Sequence, residues 1–284
     1  MQGGDRSQHG PRRGGGSRPL GDRRSPHAQG GKPPLRLMTT TLWEYPSQHY
    51  DSAGGTKMQG DKNYVGATPS WVIWQLLSRY TREKDLVVDP MCGSGTTLDV
   101  ARDLGRRGLG YDLAPSRTDI FRADARKLPL EDAKADFVFI DPPYSTHVDY
   151  SDDPACIGKL DASGEDGGKA YYDAMRQVIG QAHRVLKDRR YMGLYVSDSW
   201  RKRGGENAPH GTKQGGTASG VFMPIGFELF AMMRELFTPI DIIAVVRHNQ
   251  KLQRGNWHKA AEEGNFFLRG FNYLFIMKKQ ESER

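Results

Sequence analysis

Two short stretches carry residue types that could do chemistry. VVDPMCGSGTT (87–97) ends an apolar run in Asp89 and turns through Gly93 and Gly95, while FIDPPYSTH (139–147) ends another in Asp141, two prolines and Tyr144. Glycine lets a backbone bend tightly and approach a ligand closely. A G-x-G turn that opens a helix is therefore a place for a nucleotide-type ligand. Asp112, in GYDL, stands nineteen residues beyond Gly93, the spacing of an acid that binds ribose hydroxyls. Leu98 occupies the third glycine's position of the dinucleotide pattern G-x-G-x-x-G, and the Lys of a G-x-x-x-x-G-K-[ST] phosphate loop is lacking. A cofactor with a ribose and adenine but no pyrophosphate suits such a turn. In the second stretch, Asp141 puts a carboxylate at a strand's end, Pro142 and Pro143 stiffen the backbone behind it, and Tyr144 adds a flat ring.

These turns need strands to carry them. LVVDP (86–90), RRGLGYDL (106–113), DIFRADA (119–125), ADFVFID (135–141), YMGLYVSDS (191–199), PIDIIAVVRH (239–248) and FNYLFIMKK (271–279) read as strands. WVIWQLLSRY after Pro69-Ser70, GSGTTLDVARDLG (93–105), YYDAMRQVIGQAHRVLK (171–187) and PIGFELFAMMRELF (224–237) have helical apolar spacing. The segments 145–168 and 201–220 read as a polar insert and a Gly-rich mobile loop. Strands alternating with helices imply an α/β fold, a mostly parallel sheet covered on both faces.

The chain has 284 residues, 37% of them hydrophobic, enough for one core of ordinary globular size. Its net charge of +7 is unevenly placed: residues 1–37 hold eight Lys/Arg against Asp5 and Asp22, leaving 33 basic and 32 acidic residues elsewhere. That Gly/Arg/Pro-rich tail reads as disordered, either a solvated extension or a sequence-blind arm for nucleic acid. Neither a signal-peptide pattern nor a long apolar run is visible, so neither secretion nor membrane insertion is expected. Cys92 and Cys156 form no framework, and His147 and His183 lack partners at ligand spacing, so no structural metal is expected.

DPMCGSGTT resembles the S-adenosylmethionine (SAM) motif of class I methyltransferases. DPPY resembles the catalytic motif of those that methylate exocyclic amino groups, the N6-adenine and N4-cytosine DNA methyltransferases. The resemblance implies a Rossmann-like class I methyltransferase fold over residues 38–284: a mostly parallel seven-stranded sheet with one antiparallel strand and helices on both faces. It implies that Asp89 lies near the cofactor's amino group and that Pro90, Met91, Cys92, Gly93, Ser94 and Gly95, followed by Thr96 and Thr97, wrap the cofactor. Asp112 with Leu113 would meet the ribose, and Asp124 with Ala125 the adenine. Thr68 and Pro69, in YVGATPS (64–70), would face the carboxylate; a helix N-cap followed by proline explains that pair equally well. An exocyclic amine needs its lone pair freed from the ring, and the Asp141 carboxylate and Pro142 carbonyl would accept its two N–H bonds, with Tyr144 under the base.

The substrate reader is less legible. Three stretches are available, 145–170, 199–222 and 247–270. Cations suit phosphates, amides base edges and aromatics unstacked bases, which marks Arg247, Asn249, Lys251, Arg254, Trp257 and His258, with Arg201, Lys202 and Arg203 as further phosphate contacts. Tyr150, Ser151 and Asp152 are placed at the pocket mouth. The expected activity is SAM-dependent, site-specific methylation of a DNA base, adenine N6 before cytosine N4, with an RNA base (N6-adenine or N2-guanine) as the alternative. A restriction-modification setting in a bacterial or archaeal-type cytosol or nucleoid follows from the resemblance. With so little recognition mass, either specificity is short or a second copy or specificity subunit contributes.

Overall fold

The computed structural model describes residues 32–56, 58–61, 63–164, 166–202, 220–248, 252 and 254–281. The apolar run Ala135–Ile140 forms β5, buried at every position. A strand buried on both faces needs cover on each, and its alternate side chains supply it. Phe137 and Phe139 join one core with Trp71, Ile73, Leu76 and Leu77. Val138 and Ile140 join a second, with Met175, Val178 and Ile179. Helices α1 (Ser70–Tyr80) and α2 (Thr96–Asp103) pack on the first face; α3 (Lys169–Val185) and α4 (Ile225–Arg234) pack on the other. Helix α3 buries Tyr171, Ala174, Met175, Val178, Ile179, Ala182 and Val185, one stripe at three- and four-residue spacing. Each large side chain so buried contributes roughly 1.5–3 kcal/mol.

With β1 (Leu42–Trp43), β2 (Leu86–Asp89), β3 (Arg107–Asp112), β4 (Ile120–Arg122), β6 (Leu186–Val196), β9 (Thr238–Val246) and β10 (Phe271–Lys278), β5 forms a sheet ordered β1-β9-β10-β6-β5-β2-β3-β4. Only β10 runs antiparallel to its neighbours. This is the Rossmann-like arrangement of class I methyltransferases, enlarged from the expected seven strands by the two-residue edge strand β1, too short to leave a periodic signal. The chain leaves β2 towards β3 and β4 on one side, then returns to β5 and continues the other way. The sheet therefore has its switch point between β2 and β5, where ligands of open α/β sheets bind beyond the strands' carboxyl ends. Asp89 ends β2 and Asp141 follows β5.

Several expected boundaries are corrected. Of the tail, residues 1–31 lie outside the described residues, but 32–37 are held by the fold: Tyr45 Oη donates to the Pro33 carbonyl at 2.8 Å, Gln75 Nε2 to that of Arg36 at 2.6 Å, and Leu35 packs on the first core. Helix α3 stops at Val185 and β6 starts at Leu186, five residues before the expected Tyr191. The polar run KDRR hid this start. Two of its charges go to buried Asp136, which pairs with Lys187 at 2.8 Å and Arg190 at 3.1 Å, while Arg189, at a left-handed φ of 62°, pairs with Glu281. The stretch read as a loop over 201–220 is flanked by two paired strands, β7 (Ser199–Lys202) and β8 (Gly220–Met223), and 247–270 contains α5 (Gly255–Glu263).

A chain starting at residue 38 should melt several degrees below one starting at residue 32, because it loses the two carbonyl acceptors and the Leu35 contact. Thermal denaturation of the two truncations checks this; equal midpoints would return 32–37 to the tail.

Candidate active site

The glycine turn is shaped by what crowds it. Gly95, at φ 79°, is the N-cap of α2, and a Cβ there would meet Arg117 at 2.5 Å. Arg117 in turn bridges Asp99 (2.8 Å) and Asp119 (2.7 Å), fastening the β3–β4 connection beneath the turn. Gly93, at φ 48°, lies against the Tyr64 hydroxyl, which a Cβ would approach to 2.7 Å. Asp112, at the end of β3, accepts the Gly93 N–H at 2.9 Å and the Ala114 N–H at 2.9 Å. Asp89 accepts from the Met91 N–H at 3.0 Å and the Thr97 hydroxyl at 2.5 Å. Backbone amides and hydroxyls thus fix both carboxylates in position before any ligand arrives.

Across the switch point stands Asp141. Tyr144 Oη donates to its Oδ1 at 3.0 Å and the Thr68 hydroxyl to its Oδ2, so each oxygen has one donor and keeps a further lone pair. The Pro143 carbonyl is held by Tyr171 Oη of α3 at 2.8 Å. Asp89 and Asp141 face one cavity of about 710 Å³, whose walls also include Tyr64, Met91, Asp112, Leu113, Tyr144, Tyr150, Asp198 and Arg247. Burial pushes Asp141 up to about 7 against the Thr68 and Tyr144 hydrogen bonds, and the charge of Asp89 adds to the rise. Burial likewise pushes Asp89 up to about 7, opposed by Thr97 and Met91. Among the described residues no cluster of three or more His, Cys, Asp or Glu is arranged for a metal.

Of the expected cofactor and catalytic residues, Thr68, Asp89, Pro90, Met91, Cys92, Gly93, Ser94, Thr96, Thr97, Asp112, Leu113, Asp124, Ala125, Asp141, Pro143 and Tyr144 line this cavity. Pro69, Gly95 and Pro142 do not. Pro69 is the N-cap of α1, one residue later than a Thr68 cap would have it, and Pro142 is buried. Asp124 also departs from expectation: burial raises its carboxyl, but the Arg126 guanidinium (2.6 Å) and N–H (2.9 Å) outweigh this and hold it below the usual range. Its acceptors are largely committed to Arg126, which is itself tied to the Ala155 carbonyl at 2.8 Å.

The nucleic-acid candidates scatter. Arg247 lines the cavity; Arg254 caps α5, and Trp257 and His258 lie on that helix, which buries no residue. Trp257 is 37% exposed, and His258 Nε2 meets the Leu252 carbonyl at 2.6 Å. Arg201 and Lys202 belong to β7; Arg203, Asn249 and Lys251 lie outside the described residues. Tyr150 and Ser151 line the cavity as expected, and Asp152 does not. Sequence reading missed Ser197, Asp198 and Ser199 beyond β6, and Cys156 and Ile157 in the insert. Asp198 accepts from the Gly226 N–H and Tyr273 Oη, both at 3.0 Å, contacts no spacing could announce.

A cavity at the switch point, a glycine turn opening a helix, and acids closing three neighbouring strands accord with the Rossmann-like class I methyltransferase fold. The likeness narrows further within that class: residues 22–123 match the family model N6_N4_Mtase, described as DNA methylase. Among curated proteins, the chain is 35% identical over 72 residues to the type II methyltransferase M.HindIII of Haemophilus influenzae, spanning 25% of this chain and 22% of that protein. It is 29% identical over 97 residues to the type II methyltransferase M.MthZI of Methanothermobacter thermautotrophicus, spanning 31% and 27%. The chain thus matches about a quarter of the length of these relatives. Among solved structures, TrmN from Thermus thermophilus aligns with a TM-score of 0.45 at 17% identity, over 76% of this chain and 50% of that one, too distant to bear on activity. The matched stretch includes the glycine turn of the first motif (89–97) and ends before DPPY (141–144), so it supports the resemblance to the N6-adenine and N4-cytosine DNA methyltransferases, SAM-dependent enzymes, on the first motif and its surroundings.

Because Asp89 and Asp141 are protonated more readily in the fold than in the unfolded chain, their protonated forms stabilise the fold. That contribution is fully present below about pH 4 and is lost as pH rises through about 7. Melting temperature without cofactor should therefore fall across this window, and Asp141→Asn should flatten the fall. A midpoint independent of pH in both proteins would contradict the desolvation of the pair.

Proposed function

We propose that this protein is a SAM-dependent methyltransferase that acts on an exocyclic amino group of a DNA base, adenine N6 first and cytosine N4 next. One observation carries the reading: Asp141, with its two hydroxyl donors, faces the same cavity as the glycine turn and Asp89, so an amine held by Asp141 meets whatever that turn holds. SAM fits these residues. Asp89 suits an ammonium, Asp112 has lone pairs left for hydroxyls, and the turn lets the backbone come close without a phosphate-binding lysine. The bound cofactor supplies an electrophilic methyl group.

The chain's own part is orientation and charge. Thr68 and Tyr144 fix the Asp141 carboxylate, so that it can accept an N–H without reorganising, and acceptors placed in advance count for most where water is excluded. Ionised Asp141 is the stronger acceptor, and its raised pKa puts that ionisation close to neutrality. Asp141, which lines the cavity, is the acceptor on which this reading rests. Tyr144 offers its ring to the base, and Arg247 brings a cation to the same cavity.

Incubation with labelled SAM and, in parallel, duplex DNA, single-stranded DNA and total RNA, followed by nucleoside mass spectrometry, tests the assignment. The expected product is N6-methyladenine in DNA. N4-methylcytosine would move the base, and label confined to RNA would sink the DNA reading. Asp141→Ala should lower turnover by at least 100-fold with SAM affinity within a few fold. Asp112→Ala should weaken SAM binding instead; the reverse pattern would overturn these roles.

A further inference from the structure

Beyond the cavity, the small β7–β8 sheet presents two aromatic rings directly opposite each other. Trp200 pairs with Phe222 across the antiparallel strands, and their ring centroids are 5.5 Å apart. Cross-strand aromatic pairs stabilise a sheet by covering one another, yet Trp200 stays 43% exposed and Phe222 44%. Arg269 lies over both, its guanidinium carbon 5.8 Å from the Trp200 ring and 5.1 Å from that of Phe222. Among the described residues Arg269 has no carboxylate partner. Among those residues its buried Nε has no acceptor and its one hydrogen bond is to the Phe267 carbonyl at 3.4 Å. A guanidinium oriented by rings and left without an anion is prepared for phosphate.

The position of this cluster decides what it serves. Ser199, next to Trp200, lines the active-site cavity, as do Asp198 and Arg247. The strand that carries Trp200 thus starts at the wall of the cavity where, on the proposed function, a target base must leave its stack. Aromatic faces bind any unstacked base, and a neighbouring arginine takes the phosphate that comes with it.

We propose that Trp200, Phe222 and Arg269 form a nucleotide-binding platform on the rim of the active site. It stacks the DNA base beside the target nucleotide on the two rings and takes the adjoining phosphate on Arg269. The proposal rests on the DNA reading above for the identity of the strand, but its test reads binding rather than methyl transfer.

The full chain is titrated with fluorescein-labelled single-stranded mixed-sequence 12-mer DNA and with a duplex of that sequence carrying one mismatched adenine, at several salt concentrations. Trp200→Leu with Phe222→Leu should weaken binding to both about tenfold or more, whereas Trp200→Phe with Phe222→Tyr should hold it within about threefold. SAM binding should stay unchanged in both variants. Arg269→Gln should weaken binding and reduce the slope of log affinity against log salt by about one. Equal losses in the leucine and the aromatic variants, an unchanged salt slope, or unchanged affinity throughout would each overturn the platform. Altered DNA binding in a protein that methylates only RNA would leave the platform standing and remove the function. Methylation of DNA with unaltered binding in all variants would do the opposite.

Discussion

The site depends on two partly desolvated carboxylates, buried Asp89 and half-buried Asp141, at the ends of adjacent parallel strands. Asp89 closes β2 and Asp141 follows β5, and burial raises both far enough to titrate near neutrality. Holding such a pair is unfavourable for the fold alone, because each charge loses solvation and feels the other. What makes it tolerable is the set of donors around it: Thr97 and the Met91 N–H on Asp89, Thr68 and Tyr144 on Asp141. On the proposed function, a cationic cofactor bound beside the pair would complete what these donors begin and return stability to the fold on binding.

Much of the remaining architecture can be read as the means of holding that pair. Burying β5 on both faces requires two cores, and the alternation of Phe137 and Phe139 with Val138 and Ile140 supplies one side chain set to each. The β2–β5 pairing brings the two strand ends side by side, and the reversal of chain direction there opens the cavity. Arg117 secures the glycine turn from below, and Tyr171 reaches from α3 to the Pro143 carbonyl. Loosening either would act on the site without touching a ligand.

The parts legible in the sequence were those encoded within one strand and its following turn. Asp89, Gly93, Asp112, Asp141 and Tyr144 stand at the ends of apolar runs, and a run with its terminator is a local signal. The Thr68–Asp141 hydrogen bond joins residues 73 apart, so spacing could not announce it, and Thr68 was instead assigned to the cofactor's carboxylate. Asp198 and Ser199 look like ordinary polar residues after a strand, and the parallel pairing of β6 with β5 brings them to the cavity. The pairing of β7 with β8 was obscured because the glycine-rich sequence between them reads as loop, which concealed the Trp200–Phe222 pair. In KDRR, a strand start was hidden because Lys187 and Arg190 answer buried Asp136, which gives a strand an outwardly polar sequence.

Calorimetric titration of the protein with SAM between pH 5.5 and 7.5, in buffers of different ionisation enthalpy, tests the central claim most directly. If the cofactor site and the raised carboxylate pair share one cavity, affinity rises with pH across this window and binding releases protons, because a cationic ligand favours the ionised carboxylates. Affinity that is flat with pH, with no proton released, would contradict it.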